Sequence, residues 1–455
     1  MTSEGNRADG STANQATRGK TDEAENPRDP AYFQYYGQLQ HQQNMLQDYV
    51  RTSTYQSAIV QNGPAVFKDK VVLDVGAGSG ILSYFAVQAG AKQVYAVEAS
   101  DMAKNIHVLL DAADPNRLKP RNPWLHGKIQ VVNAKMEDPN ISIPPVDVII
   151  SEPIGVLLVH ERMLESFIFA RNKFLKPGGA ILPSHGTIHL APFTDSALWM
   201  ETMTKVRFWE QSAFYGVDLN PLYPAALDEY FRMPVVGYFD PRSLVASPGP
   251  GHHNVDFAQV TLDELKDFTV PFTWVCTYTG IVHGIAGWFD LAFSPPTHVP
   301  NGVTVNMSTS PAAARTHWQQ VRFLLQEPLA VNSQQVIKGT MHCVVNDKRS
   351  YDIHATLHLC PPGTLHSDTV PPNVPTRKGL WYLHEQTYNY SYNPPATSEF
   401  VPEYNGLYTQ DMTMAANVTP LVPIPPDATQ DNIQINDIDL SEKDGDMIDD
   451  LVFTE

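Results

Sequence analysis

A short apolar run, Lys70–Val75, ends in three closely spaced glycines, Gly76, Gly78 and Gly80, and the chain resumes with helix-forming Ile81–Ala89 and a stop at Gly90. A strand that breaks into glycines and opens a helix sets bare backbone beside a helix N-terminus, which suits a bound ligand. The alternation continues. Gln93–Glu98, Ile129–Val132 and Val146–Ser151 read as further strands. Strands spaced by helical segments predict a parallel sheet covered on both faces. Glu161–Phe174 predicts a helix with Met163, Phe167, Ala170 and Phe174 on one side, ended by Lys176-Pro177-Gly178-Gly179.

The glycine spacing narrows the ligand. A dinucleotide fingerprint, G-x-G-x-x-G, would need its third glycine where Ile81 stands. The spacing is G-x-G-x-G, which fits a nucleoside cofactor without a pyrophosphate, above all S-adenosylmethionine. Glu98 closes the second strand, where a carboxylate can accept both ribose hydroxyls. A plain tight turn with a surface glutamate, and a nicotinamide site, are the alternatives.

After Gly186 the pattern changes to short β-rich runs with Pro and Gly between them, extending to about residue 392. This predicts an antiparallel second domain, 186–393, following a first domain at 31–185. Residues 208–239 interrupt it and are too apolar for a solvated loop, so they are expected to cover a partner surface. The aromatic cluster Trp381, Tyr382, Tyr388, Tyr390 and Tyr392 reads as the last ordered strand. Residues 1–30 carry almost no large apolar side chain and predict disorder, and 394–455 read as a Pro-rich linker and an acidic tail.

The net charge is −18, but Asp427–Glu455 holds ten acidic residues against one lysine, which is half of it. The body is therefore only mildly acidic. Charged residues are 18% of the chain, too few cations for an electrostatic grip on nucleic acid. No run approaches a membrane span and the polar N-terminus shows no secretory signal. Cys276, Cys343 and Cys360 are too few and too scattered for a disulfide scaffold or a cysteine zinc site, and no metal is expected.

Directly after the fourth strand comes SEPIGVLLVHERMLES, residues 151–166. Ligands of doubly wound sheets bind beyond the carboxyl ends of the strands. Glu152 and Glu161 flank an apolar segment and would be partly desolvated, which is costly unless a cation lies between them. Gly155 permits a hairpin that points both into one pocket, and the planar fork of an arginine matches carboxylates. An ordinary helix-start charge at Glu161 with an unrelated Glu152 is the competing reading, and the residues alone do not choose.

Five segments together decide it: Tyr32-Phe33-Gln34-Tyr35-Tyr36, QNMLQDYVR (43–51), VLDVGAGSG (72–80), the Glu152–Glu161 loop, and Thr316-His317-Trp318. From about Ala31 to Tyr392 the chain resembles the protein arginine methyltransferases, within them the coactivator-associated branch. The resemblance implies a Rossmann-like methyltransferase domain, an antiparallel β-barrel domain and a helical dimerisation arm at about 208–239. It implies that Arg51 pairs with the cofactor carboxylate, with Gln42 beside its methionine part. Gly76 and Gly78 would approach the cofactor, Glu98 the ribose, and Glu137 and Ser166 the adenine. Glu152 and Glu161 would clamp a substrate guanidinium, and His317 with Asp48 would offer a route for the lost proton. Trp318 would wall the acceptor channel. Tyr32, Phe33 and Tyr36 would sit on a helical lid, and Met45 would limit the product to asymmetric dimethylation. Without the resemblance, a Met and aromatic stripe is ordinary core and His317 a satisfied histidine.

The function implied is type I methylation of arginines in histone tails, transcription factors or RNA-binding proteins by a homodimer in nucleus and cytoplasm, without nucleic-acid or membrane binding. Some positions depart from the family pattern. Ile154 stands where Met is usual, His160 where Asn is common, and Gly287 where an aromatic is expected. Residues 115–123 look inserted, as a surface loop. Only about 30 polar residues precede the lid, so recruitment through a folded N-terminal domain does not carry over. The tail interleaves Ile433, Ile435, Ile438, Leu440, Ile448, Leu451 and Phe453 with acids, as activation segments do, though a solubilising tail has the same look. A coactivator scaffold whose docking role outweighs catalysis is the second functional reading. A small-molecule methyltransferase would explain neither the two glutamates nor the β-rich half.

Overall fold

The computed structural model describes residues 29–246, 251–367 and 369–389. Three helices lead: α1 (Asp29–Tyr36), α2 (Leu39–Leu46) and α3 (Tyr49–Gln61). α1 begins at Asp29, inside the stretch expected to be disordered. Asp48 caps α3, its Oδ1 accepting from the Arg51 amide at 2.9 Å.

Next come β1 (Val71–Val75), α4 (Ile81–Gln88), β2 (Gln93–Val97), α5 (Met102–Ala112), β3 (Ile129–Val132), β4 (Val146–Ser151), α6 (Met163–Phe174) and β5 (Leu175–Leu182). Their strands form one parallel sheet in the order β3-β2-β1-β4-β5. Reading Lys176–Gly179 as a terminator missed β5. The helix does end at Phe174, but Lys176-Pro177-Gly178-Gly179 runs within a strand whose Ala180, Ile181 and Leu182 pair with Val148, Ile149 and Ile150. An edge strand tolerates Pro and Gly when its far end is buried against the sheet. Residues 115–123 are exposed throughout, as expected of a surface loop.

β6 (His185–Phe193) starts the antiparallel half. An arm follows: α7 (Ser196–Arg207), a loop and α8 (Tyr223–Phe231). It opens about a dozen residues before the expected 208, and Leu198, Val206, Ala226 and Phe231 pack its helices against the barrel. Then come β7 (Val235–Val236), β8 (His252–Asp256), β9 (Asp267–Val275), β10 (Gly280–Phe293), β11 (Val305–Ser308), β12 (Val321–Val331), β13 (Val336–Val345), β14 (Tyr351–Cys360), β15 (Thr376–Tyr382) and β16 (Thr387–Tyr388). One sheet runs β16-β7-β12-β10-β6-β8 with β11 beside β10, and the other runs β15-β14-β13-β9. Their facing side chains, among them Trp274, Phe289, Phe323 and Trp381, are fully buried and continuous with the core of the parallel sheet. Trp381 lies in β15 and Tyr388 in β16; Tyr390, Tyr392 and the acidic tail lie outside the described residues. Among the described residues no helix is long and apolar enough to cross a membrane.

Candidate active site

A cavity of about 960 Å³ opens at the carboxyl ends of β1, β2 and β4, roofed by α1 and α2. Thirteen of the sixteen residues given a role line it: Tyr32, Phe33, Tyr36, Gln42, Met45, Arg51, Gly76, Gly78, Glu98, Glu137, Glu152, Glu161 and Ser166. Asp48, His317 and Trp318 stand outside it.

The glycine turn and the second strand build one end. Gly78 has φ +55°, and a Cβ there would stand 2.9 Å from Gln42 Oε1. Glu98 is buried and accepts from the Gly78 and Ser100 amides, both at 2.7 Å. Gln42 clips the lid to the turn: its Oε1 accepts from the Ser79 amide at 3.1 Å and its Nε2 donates to the Tyr36 carbonyl at 3.0 Å. A backbone cradle, a carboxylate beside it, apolar Met136 and Phe169 in the same lining, and the buried cation Arg51 make a set that fits S-adenosylmethionine.

The loop from Glu152 to Glu161 builds the other end. Gly155 closes a hairpin, its amide donating to the Leu158 carbonyl at 3.3 Å, and a Cβ on it would fall 2.1 Å from the His160 carbonyl oxygen. Leu157, Leu158, Glu161 and Arg162 all hold positive φ (55°, 72°, 71° and 58°). Bulky residues adopt that region at a cost of about 1–3 kcal/mol each, so the surroundings must hold the loop in place. Trp318 Nε1 donates to the Ile154 carbonyl at 2.9 Å, Arg162 reaches the Asn346 carbonyl at 3.0 Å, and His160 Nδ1 meets Ser350 Oγ at 2.9 Å.

These contacts correct the expectation for Trp318 and give His160 a place. Trp318 is buried and braces the loop from behind; it does not line the cavity. His160 likewise turns to the β13–β14 hairpin, where burial and then the neighbouring His384 push its pKa down to about 4, so it sits there as neutral imidazole. Ile154 does line the cavity. Gly287 has a structural reason: a Cβ there would stand 2.6 Å from Leu157 Cδ1, so the missing side chain is the seat of the loop's leucine.

Both glutamates have partners. Glu161 Oε2 accepts from Tyr36 OH at 2.6 Å and Tyr32 OH at 3.1 Å. Burial raises its pKa; the tyrosine bonds pull it back in part, and Glu152 pushes it up again. Glu152 Oε2 accepts from Arg51, at 2.8 Å from Nη2 and 3.3 Å from Nε. Arg51 thus links the two ends of the cavity. Asp48 Oδ2 accepts from the His317 amide at 2.8 Å and lies 2.7 Å from its Nδ1, while Oδ1 holds the Arg51 amide. Burial would raise the Asp48 pKa, but the bonds from His317 and Arg51 hold it below its ordinary value.

Sequence reasoning missed Asp29, Lys135, Arg349 and Ser350. Asp29 joins Lys135 at 2.9 Å and also Arg349. An Asp-Pro pair before an aromatic helix was a legible start signal. Arg349 and Ser350 carry none, because their role follows from where the β13–β14 hairpin lands.

Residues 184–360 match the family model described as the arginine methyltransferase oligomerization subdomain, and 54–185 match that of the ribosomal protein L11 methyltransferase, PrmA. The chain is 47% identical over 329 residues to a probable histone-arginine methyltransferase CARM1 of Oryza sativa subsp. indica, covering 72% of this chain and 58% of that protein. The chain therefore spans well under two thirds of that relative's length. Protein arginine methyltransferase 10 of Arabidopsis thaliana matches at TM-score 0.65 and 28% identity, covering 76% of this chain and 99% of that one. A Trypanosoma brucei PRMT1 enzyme–prozyme heterotetramer with AdoHcy matches at TM-score 0.63 and 26% identity, with the same coverage. On these likenesses the chain belongs to the protein arginine methyltransferase family.

Proposed function

We propose that this chain methylates arginine side chains of proteins, using S-adenosylmethionine, and yields mono- and asymmetric dimethylarginine. The observation that carries the reading is the convergence of Glu152 and Glu161 on one cavity that also contains the glycine turn, Glu98 and Arg51.

The cofactor supplies an electrophilic methyl on a sulfonium. Arg51 offers its carboxylate a buried cation, and Glu98 offers its ribose an acceptor. Gln42 lies along its methionine part, and Glu137 and Ser166 face its adenine. A substrate guanidinium stays charged at pH 7, with a pKa of about 12.5 or higher. Glu152 and Glu161 draw that charge to two of its nitrogens and leave the third as the nucleophile. Holding the pair in line then lowers the barrier by orientation. The paired Asp48 and His317 stand beside α3 as a route for the lost proton. Tyr32 and Tyr36 orient Glu161 and close the lid. Met45, half-buried under the lid, limits how a monomethylated arginine re-enters, which favours methylation of the same terminal nitrogen.

Histone tails, transcription factors and RNA-binding proteins are the substrate classes, with nucleus and cytoplasm as the place of action and a homodimer as the acting form. The likeness to the rice probable histone-arginine methyltransferase supports histone arginine. The second reading, a coactivator scaffold, rests on the alternating acidic and apolar tail of 427–455.

Mass spectrometry of a methylated proteome tests the proposal. Wild type adds mono- and asymmetric dimethylarginine, and Glu161→Gln adds neither while still binding cofactor. Symmetric product refutes the type I assignment, and undiminished transfer by the variant refutes the clamp. For the scaffold to dominate, deletion of 427–455 must lower reporter output more than Glu161→Gln does.

A further inference from the structure

The aromatic side chains of α1 are only half-buried. In α1, Asp29 is the one buried residue, and it is an acid. An eight-residue helix is marginal by itself, and its stability must come from tertiary contacts. Tyr32 and Tyr36 supply some through Glu161, and Asp29 supplies others in two directions. Its Oδ2 accepts from Lys135 Nζ at 2.9 Å, in the loop after β3 that lines the cavity. Its Oδ1 accepts from Arg349 Nη1, at the tip of the β13–β14 hairpin. One carboxylate so ties the lid to the parallel sheet and to the barrel together. The pair is little screened, since the Asp29 and Arg349 side chains are 10% and 15% exposed. Arg349 also lies over the Tyr32 ring, 4.2 Å from its centroid. Tyr32 in turn donates to Glu161, and both Asp29's cations border the cavity itself.

We propose that Asp29 and Arg349 are positioning residues that clasp α1 over the bound cofactor, so that parting this ion pair sets how fast the spent cofactor leaves. This rests on the reading of the cavity as a site for S-adenosylmethionine. Neither residue touches the reacting atoms. The clasp spans two sheets, so a movement of either the barrel hairpin or the β3 loop parts it, and opening the lid then also parts Tyr32 and Tyr36 from Glu161 and the Gln42 amide from the Tyr36 carbonyl.

Release of S-adenosylhomocysteine from the full-length chain, followed by stopped flow, tests it through Asp29→Asn, Arg349→Gln, the double variant and Asp29→Glu. Each of the first two releases the ligand about tenfold faster, because affinity changes of this kind fall on the dissociation rate. The double variant releases it no faster than the faster single one, as expected of two halves of one contact. Asp29→Glu, which keeps the charge, returns toward wild type. KM for the cofactor rises with the release rate, while kcat changes less than about threefold. A merely structural role would instead lower kcat through an unfolded fraction and leave release and KM unchanged. Unchanged release in Asp29→Asn, or effects that multiply in the double variant, overturns the clasp while cofactor binding by the wild type leaves the proposed function standing. Failure of the wild type to bind S-adenosylhomocysteine removes that function and the clasp with it.

Discussion

Glu161 keeps a carboxylate where burial opposes its charge, on a backbone turned to positive φ, with two tyrosine hydroxyls as its donors. Its raised pKa couples catalysis and stability with opposite signs. The folded state favours the protonated acid, so this residue's contribution to stability is present at low pH and lost as pH rises through the folded pKa. The clamp needs the ionised acid, so turnover should rise with pH over that same interval. A pH–rate profile whose acidic limb lies above the ordinary glutamate range is the expected result; a limb at or below that range counts against Glu161 as the ionised clamp. Glutamine keeps the shape and the acceptor oxygen while removing the buried charge. Glu161→Gln should therefore melt no lower than wild type at pH 8, although its turnover drops by at least about a hundredfold. Thermal melts beside single-turnover assays separate the two effects, and a variant that loses activity by unfolding would contradict the argument.

The Glu152–Glu161 loop shows what each kind of signal could reveal about elements. Gly155 was readable because a hairpin that turns two acids together needs a residue without a side chain, and the His160 carbonyl 2.1 Å from its missing Cβ is the reason. The β1–glycine–α4 unit was legible because its apolar period and turn are local. β5 was not, since Pro177 and Gly178 look like an ending until the buried Ala180–Leu182 stretch is seen paired to β4. The bracing roles of Trp318 and His160 were hidden too, because each depends on which surface meets the loop from the barrel. Gly287 is the sharpest case: it looked like a departure from a family pattern and is the notch that admits Leu157. Gly287→Ala should push Leu157 and the loop toward the cavity, at about 1–3 kcal/mol of overpacking. Turnover should fall while the β-barrel still folds. Adding Leu157→Ala should restore part of the loss, since it clears the same space. A double variant no better than Gly287→Ala would mean that the notch does not seat the loop.

At the scale of the whole molecule, the arm is the feature that a single chain leaves unfinished. Its helices are packed on one side, yet Met200, Phe208, Tyr215, Val217 and Leu222 remain exposed, Tyr215 at 94%. In the parallel-sheet half, α5 exposes Val108 and Leu109, and the short helical turn Pro123–Leu125 exposes Trp124. Single exposed apolar residues are ordinary, but two apolar patches on one chain are what the homodimer proposed above would need, each arm then covering the other chain's α5 region. The same geometry ties assembly to chemistry, because α4 and α5 flank the glycine turn and Glu98. Tyr215→Asp with Val217→Asp should turn a dimer into a monomer at micromolar concentration in sedimentation velocity. The aspartates lie on an exposed loop, so the monomer should still fold, melting lower only by the stabilisation that association supplied. Losing the partner then frees α5, and KM for S-adenosylmethionine should rise several-fold while Glu152 and Glu161, anchored on the barrel by Trp318 and Leu157, keep kcat within about threefold. Two results would break this reasoning separately: a wild type that sediments as a monomer would leave the exposed patches to another partner. A monomeric variant with unchanged KM would show that the cofactor end is rigid without its neighbour.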